Sequence, residues 1–248
     1  MRYFIELAFD GTPFYGWQIQ PNDITVQEVL QKGMSRLLRE PVSLTGCGRT
    51  DAGVHARQFY AHFDMEQQFS EEDCRQLAYK LNRFLPAEVA IYNIFSVTPQ
   101  LHARFDVLDR TYRYYLNLKK EPFSSGFALP VYFRLDVEKM NEAAYCLLEA
   151  KDFTSFSKLH TQVANNLCEV KKAHWLYESS QLVFEITANR FLRNMVRAIV
   201  GTLLNVGKGK YSLEQFRDII HQKDRCKAGE SVPAHALFLE KVRYPFLM

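Results

Sequence analysis

The 248-residue sequence predicts an α+β fold. Segments with the two-residue period of strands alternate along the chain with segments that have a helical period. Several predicted strands follow one another at the tight spacing of hairpins, which favours largely antiparallel sheets. The second half repeats the kind of elements found in the first half. We therefore expect two similar subdomains, divided near residues 98–108, where Pro99 interrupts the pattern.

In the first half, capped helices lie between strands of alternating apolar residues. Thr25, with Glu28 three positions later, has the pattern of a capping box and predicts the start of a helix. Ser70 caps a second predicted helix, which runs to about Phe84 and is stopped by Pro86. The predicted strands lie at residues 3–9, 42–45, 59–63 and 89–97.

The second half continues with the same two types of element. Tyr112 and Tyr114 share one face of a predicted strand over residues 110–117, and Asp136 opens a helix that runs to about Glu149. The remaining predicted elements are strands near 168–178 and 182–188, a long helix from Arg190 to Val206, a shorter helix from Ser212 and a last strand ending near Val242.

Composition and charge restrict the class of protein. A formal net charge of +3 with 24% charged residues permits an RNA partner without requiring one. The five cysteines are scattered without a Cys-x-x-Cys pair, which is typical of reduced thiols in a cytoplasmic protein. No apolar run approaches the roughly 18 residues of a membrane span. We expect a cytoplasmic protein that does not bind a membrane.

The loop Gly48-Arg49-Thr50-Asp51-Ala52-Gly53 is the first candidate site. It lies between two predicted strands, so a sheet presents Asp51, and its glycines allow a partner to approach closely. Arg49 lies two residues before Asp51, and His55 lies four residues after it. A polar turn in which Asp51 caps its own backbone explains the same loop. The spacing alone does not decide between these interpretations.

The predicted long helix carries the second candidate. On a helix that begins at Arg190, the side chains of Arg190, Arg193 and Arg197 cluster on one side, opposite an apolar arc. Such a ridge suits phosphate contacts, and one guanidinium could instead pair with a carboxylate. A solvated basic face is the alternative. Lys208 and Lys210 follow as basic residues in the stop of this helix.

Aromatic residues form the third candidate. Residues 110–115 alternate cationic and aromatic side chains, a pattern that suits base stacking in RNA, although tyrosines that face a core explain it as well. Tyr15 and Trp17 lie in a turn bounded by glycines, and we interpret both as buried structural residues. The histidines show no metal-binding spacing, and no glycine-rich phosphate loop follows a strand. We expect neither a metal nor a cofactor.

Taken together and in order, these segments resemble the TruA family of tRNA pseudouridine synthases across nearly the whole chain. The most distinctive match is the nine-residue segment 48–56 around Asp51. The other matches are Phe9-Asp10-Gly11 through Tyr15-Gly16-Trp17-Gln18, His102-Ala103-Arg104-Phe105, Arg110-Thr111-Tyr112-Arg113-Tyr114, Asp152-Phe153-Thr154-Ser155-Phe156, Met195-Val196-Arg197 through Gly201, and Tyr244-Pro245.

The resemblance implies roles for individual residues. Asp51 would be the catalytic aspartate, Arg197 its basic partner and Tyr112 the aromatic residue that packs on the target base. Arg49 would assist RNA engagement and base extrusion. The basic ridge and the helix stop, rather than the resemblance, predict the further RNA contacts at Arg190, Arg193, Lys208 and Lys210.

The resemblance also implies the reaction and the assembly. The enzyme would isomerise uridine at positions 38, 39 and 40 of the tRNA anticodon stem-loop, as a homodimer without cofactor or metal. Each chain would have a cleft between an N-terminal subdomain, residues 1–104, that carries Asp51 and a C-terminal subdomain, residues 105–248, that carries Tyr112 and Arg197.

Two departures and three alternatives accompany this interpretation. Ser157-Lys158 stand where many family members have arginine, the match stays poor through Cys168, and Ala236 replaces a usual glycine. These departures concern local RNA contacts or loop geometry. The alternatives are a non-catalytic RNA-binding protein of the same fold, a hydrolase that uses Asp51 and His55, and the same reaction at another tRNA position or in another RNA.

Overall fold

The computed structural model describes residues 1–158 and 165–247. It divides the chain into two compact units: residues Met1–Leu108 together with those from Leu239 onward, and residues Asp109–Phe238. The sequence-based division lies at 104/105 and does not include the return of the last residues to the first unit.

The helices and strands follow in a mixed order. Up to residue 108 they are β1 (Arg2–Phe9), α1 (Val26–Leu38), β2 (Thr45–Gly46), β3 (His55–Asp64), α2 (Glu71–Phe84) and β4 (Val89–Val97). They continue with β5 (Asp109–Asn117), β6 (Leu129–Pro130), α3 (Val137–Glu149), β7 (Val170–Glu178), β8 (Gln181–Ala188), α4 (Met195–Gly207), α5 (Leu213–Gln222) and β9 (Leu237–Arg243).

The first unit has β1 at the centre of its strands. β1 pairs with β4 on one side and with β3 on the other, and β2 and β9 lie beside β3. Thr25 and Ser70 cap the two helices as predicted, because their hydroxyl groups accept hydrogen bonds from the backbone of Glu28 and Asp73. The reciprocal bond of a capping box is formed by Asp73 in α2, whereas among the described residues α1 has only the bond to Thr25. Asn82 of α2 bonds both backbone groups of Ile91 in β4, which fixes this helix on the edge strand.

The second unit uses the same construction. Its strands lie in the order β5-β8-β7, and the short β6 runs parallel to β5. Asn141 of α3 bonds both backbone groups of Trp175 in β7, as Asn82 does in the first unit. The strand pairs with a defined register are antiparallel apart from β5 and β6. The predicted α+β class with largely antiparallel sheets is confirmed.

Two predicted elements differ from the structure. The strand expected at 42–45 is reduced to β2. The long helix expected from Arg190 begins only at Met195, because the residue before it, Asn194, has a φ of 66° in the left-handed region, which a right-handed helix excludes. The prediction that Arg190, Arg193 and Arg197 form a ridge on one helix is therefore wrong, because only Arg197 lies on α4.

Candidate active site

Asp51 lies in a closed turn between β2 and β3. Its carbonyl oxygen accepts a hydrogen bond from the backbone nitrogen of Val54 at 3.2 Å, and Gly53 has a φ of 75° that allows the chain to reverse there. The nitrogen of Gly53 donates to the carbonyl of Phe14 at 3.2 Å. Asp51 itself is half-buried. The sheet therefore holds this carboxylate on a shaped turn, as the sequence predicts.

The Asp51 turn rests on a second loop, residues 10–17. A Cβ atom on Gly11 would overlap the carbonyl oxygen of Val54, and one on Gly16, whose φ is 84°, would overlap the carbonyl oxygen of Thr50. Glycine is needed at both positions because the two backbones are in direct contact. This contact gives a physical reason for the glycines in the matched segment from Phe9 to Gln18.

The buried side chain of His55 connects the same two loops. It is 1% exposed, and its Nδ1 atom lies 3.0 Å from the backbone nitrogen of Gly11, which donates to it, and 2.9 Å from Oδ1 of Asp10. The Asp10 carboxylate also accepts from the backbone nitrogen of Thr12 at 2.9 Å. His55 thus supports the loops from the interior. This burial disfavours the alternative in which His55 and Asp51 act on a water molecule.

The neighbours of Asp51 face different surroundings. Arg49 is exposed, and its contact with RNA stays a prediction. The hydroxyl of Thr50 is buried and has no hydrogen-bond partner among the described residues. Trp17 is 2% exposed and stacks on Phe59 with ring centroids 4.2 Å apart, so its structural interpretation is confirmed. The same interpretation is wrong for Tyr15, which is 56% exposed.

Tyr112 lies in the second unit, on β5. It is 8% exposed, pairs with Ile186 of β8, and its ring meets that of Phe191 edge to face at a centroid distance of 5.0 Å. Tyr114 is fully buried, and its hydroxyl donates to the carbonyl of Pro233 at 3.0 Å. Burial raises the pKa of Tyr114 well above its ordinary value. Tyr112 is the nearer of the two rings to solvent.

Arg197 lies in the first turn of α4. Its Nε atom donates to the carbonyl of Val232 at 2.7 Å, and the nitrogen of Val232 donates back to the carbonyl of Arg197 at 3.2 Å. The next carbonyl, that of Pro233, accepts the Tyr114 hydroxyl. The positive charge of Arg197 also acts on Tyr114, where it opposes the rise in pKa caused by burial. Residues 232–233 therefore link Arg197 to the strand that carries Tyr112.

The other predicted RNA contacts occupy separate positions. Arg193 is exposed, and its carbonyl oxygen accepts a hydrogen bond from the backbone nitrogen of Lys158. Arg190 is half-buried with Nη1 at 3.4 Å from Oδ1 of Asn165. Lys208 and Lys210 are both exposed after α4.

Lys208 and Arg113 both contact other side chains. The Nζ atom of Lys208 lies 4.0 Å from the Phe133 ring centroid. Arg113, the cation between the two tyrosines, forms ion pairs with Glu185 at 2.6 Å and Glu178 at 3.1 Å. The charge of Arg113 is thus paired with carboxylates of its own unit.

Tyr112 and Arg197 both belong to the second unit, whereas Asp51 lies in the first unit. That Asp51 acts with them stays a prediction. In the part of the chain that is described, no group of three His, Cys, Asp or Glu side chains could hold a metal ion, and no helix there is long and apolar enough to cross a membrane. Of the stretch that departs from the family, residues 159–164 lie outside the described residues.

The sequence does not predict the contacts of His55 with Asp10 and Gly11 or the contact of Arg197 with Val232. Each joins residues far apart in the chain, and neither a short motif nor a periodicity signals them. The glycines of residues 10–17 were the available signal, since they mark a backbone that something approaches closely.

Comparison with known proteins agrees with the order of motifs. The sequence model of a family described as tRNA pseudouridine synthase matches residues 143–245. The chain is 54% identical over 244 residues to tRNA pseudouridine synthase A of Parabacteroides distasonis, covering 98% of this chain and 96% of that one. For the protein of the same name from Bacteroides thetaiotaomicron the identity is 55%, with 98% and 91% covered.

A more distant relative gives the same result. The tRNA pseudouridine synthase A of Bacillus licheniformis is 37% identical over 248 residues, with 98% of this chain and 99% of that one covered. The resemblance stated from the motifs is confirmed, and the chain belongs to the tRNA pseudouridine synthase A family.

Proposed function

We propose that this enzyme isomerises uridine to pseudouridine at positions 38, 39 and 40 of the tRNA anticodon stem-loop, with Asp51 as its essential carboxylate. Membership of the family supports an isomerase that acts on tRNA. The observation that carries the role of Asp51 is its place on a glycine-shaped turn that leads into strand β3. A residue that only capped its own backbone would not need a second loop built against it.

The reaction needs no group from outside the substrate. The N1–C1′ bond of uridine breaks, the uracil turns, and a C5–C1′ bond forms while the proton leaves C5 and N1 gains one. Asp51 can attack the sugar or the base covalently, or take a proton from C2′. In each route the carboxylate must be ionised when the uridine arrives.

Arg197 is the proposed basic partner that keeps a carboxylate ionised and oriented. A guanidinium is always charged and binds a carboxylate through two parallel donors, which a lysine cannot do. The bond from Nε to Val232 fixes the plane of this group. Tyr112 would hold the face of the detached uracil, with its hydroxyl near C5, where a proton must leave.

A uridine within a stem must first leave the base stack, at a cost of a few kcal/mol. Arg49 is exposed and can fill the gap or hold the phosphate. The phosphates of the tRNA backbone would be contacted by Arg190, Arg193, Lys208 and Lys210. The affinity for tRNA should therefore fall as the salt concentration rises.

We also propose a homodimer in the cytoplasm. The net charge of +3 is small for a protein that binds tRNA. Two copies would combine their basic residues in one surface. Light scattering tests the assembly, and a uniform monomer near 29.0 kDa would contradict it.

The role of Asp51 is tested with purified protein and unmodified tRNA that has uridine at positions 38, 39 and 40, followed by mapping of pseudouridine. We expect product from the wild type and a loss of at least about 1000-fold for Asp51→Ala and Asp51→Asn, because both remove the carboxylate. Both variants should still bind tRNA. Asp218→Asn, which removes an exposed carboxylate on α5, is the matched control and should keep full activity. Product from Asp51→Ala at the wild-type rate would refute the proposal.

A further inference from the structure

Phe105 stands out among the aromatic residues of the first unit. Its side chain is 74% exposed, although a phenylalanine usually belongs to a core. It lies in the turn of residues 102–106, where its ring stacks on the imidazole of His102 with centroids 4.3 Å apart and planes 29° apart. One aromatic ring is thus kept at the surface in a defined orientation.

The turn that carries Phe105 is held by its own hydrogen bonds. The nitrogen of His102 donates to Oδ2 of Asp106 at 2.6 Å, and the nitrogen of Asp106 donates to the carbonyl of His102 at 3.2 Å. Nδ1 of His102 accepts from the nitrogens of Arg104 and Phe105 at 3.0 and 3.3 Å. The imidazole on which Phe105 stacks therefore also fixes the backbone of Phe105.

The turn is anchored in the interior. Nδ1 of the buried His62 accepts from the nitrogen of Ala103 at 3.1 Å, and the hydroxyl of Tyr244 donates to the carbonyl of Ala103. The rings of His62 and His102 meet edge to face at 4.7 Å. Burial lowers the pKa of His62 to about 4, so its ring is neutral near pH 7 and can accept this bond. Three rings thus run from the core of the unit to its surface.

A cation accompanies the exposed ring. The guanidinium carbon of Arg104 lies 5.8 Å from the centroid of the Phe105 ring, and Arg104 is exposed. An exposed aromatic ring with a guanidinium over it is a combination with which proteins bind unpaired bases, because bases stack on aromatic rings and on guanidinium planes and the cation can contact the phosphate.

We propose that Phe105 and Arg104 form a stacking platform for an unpaired base of the tRNA. This proposal rests on the proposed function, because it takes tRNA as the ligand. The platform would bind and orient RNA and take no part in the chemistry of the uridine. Loss of one stacked base is expected to weaken tRNA affinity about 10-fold, which a binding measurement resolves.

The test measures the dissociation constant of unmodified tRNA at fixed salt. Phe105→Ala should weaken binding about 10-fold, because one stacked base is lost. Phe105→Leu keeps an apolar side chain without an aromatic face and should lose nearly as much, whereas Phe105→Trp should stay within about twofold of wild type. Tyr92→Ala is the matched control, since it removes an aromatic ring that is 61% exposed in the same unit, and it should bind as wild type.

Salt and kinetics separate the ring from the cation. Arg104→Ala should reduce the slope of log K against log salt by about 0.7–0.9, because one phosphate contact is lost, and Phe105→Ala should leave the slope unchanged. In turnover assays Phe105→Ala should raise KM and leave kcat at saturating tRNA unchanged, since only binding is removed. Circular dichroism and thermal unfolding of each variant verify that the unit is folded, and Phe105→Trp shows that the position accepts another ring.

Three results would overturn the platform. One is binding of tRNA within twofold of wild type by both Phe105→Ala and Phe105→Leu. Another is equal loss in Phe105→Trp, which would indicate a packing role. The third is a change from dimer to monomer in light scattering of Phe105→Ala, which would assign the ring to a second copy of the chain. A wild type that binds tRNA but forms no pseudouridine at positions 38–40 would instead refute the proposed function.

Discussion

The two units position their proposed catalytic residues by different means. In the first unit, the turn that carries Asp51 is fixed by backbone against backbone, and the glycines at 11 and 16 remove every side-chain atom from the contact. In the second unit, Arg197 is fixed by its own side chain, whose Nε atom donates to the carbonyl of Val232. In the first unit, a side-chain atom added at either glycine should disrupt the turn. In the second unit, a side chain without the Nε–H donor should lose the correct position of the positive charge.

Gly16→Ala tests the first half of this comparison and has the largest expected effect. A methyl group would overlap the Thr50 carbonyl at a φ of 84°, so the free energy of unfolding should fall by more than about 3 kcal/mol. Urea denaturation measures it. Gly209→Ala is the matched control, because Gly209 has a φ of 71° with open space around its Cβ position, and it should cost only about 1 kcal/mol. Equal losses in the two variants would show that the loop contact is unimportant.

Arg197→Lys tests the second half. Lysine has no Nε–H donor for Val232 and no planar fork for a carboxylate, so kcat should fall about 100-fold with a change in unfolding free energy of less than about 2 kcal/mol. The measurement is single-turnover formation of pseudouridine. Arg134→Lys changes an exposed arginine of the same unit that has no proposed role and should stay within about threefold of wild type. A nearly normal rate for Arg197→Lys would contradict its proposed role.

Asn194 tests a smaller difference between the units. In the first unit the left-handed position next to the Asp51 turn is a glycine, Gly16, whereas in the second unit the left-handed position before α4 is an asparagine. Asn194 has a φ of 66°, and its side-chain amide donates to the hydroxyl of Ser231. Asn194→Ala loses the bond and keeps the strain, so we expect a cost of about 1–2 kcal/mol. Asn194→Gly loses the bond but relieves the strain and should cost about 1 kcal/mol less. Thermal unfolding compares the two, and an alanine variant as stable as the glycine variant would contradict this account.

The elements fixed by local chemistry were predictable. Alternation over residues 89–97 matches β4, and the hydroxyl of Ser70 begins α2 where the sequence predicts it. The start of α4 was not predictable in the same way, because the helical period continues through residues 190–194. The left-handed residue Asn194 donates to the hydroxyl of Ser231, 37 residues away, and the helical period gives no sign of this contact.

The same distinction applies to the candidate site. The glycines and Asp51 can be read from a short segment, so the sequence predicts the shaped turn. The bond from Arg197 to Val232 spans 35 residues and that from Gly11 to His55 spans 44, and no motif predicts either. The exposure of Phe105 follows from a turn whose anchors, His62 and Tyr244, come from distant parts of the chain.

The return of β9 to the first unit affects how this protein can be made. Val242 donates to the side chain of Gln58 in β3, the strand that follows the Asp51 turn, across a separation of 184 residues. At the usual 5–20 residues per second, a ribosome needs roughly 10–40 s between these two residues. During that time β3 lacks its β9 neighbour, and an unpaired strand edge attracts chaperones and other chains. The strand that follows the Asp51 turn is therefore among the first parts to be synthesised and among the last to be completed.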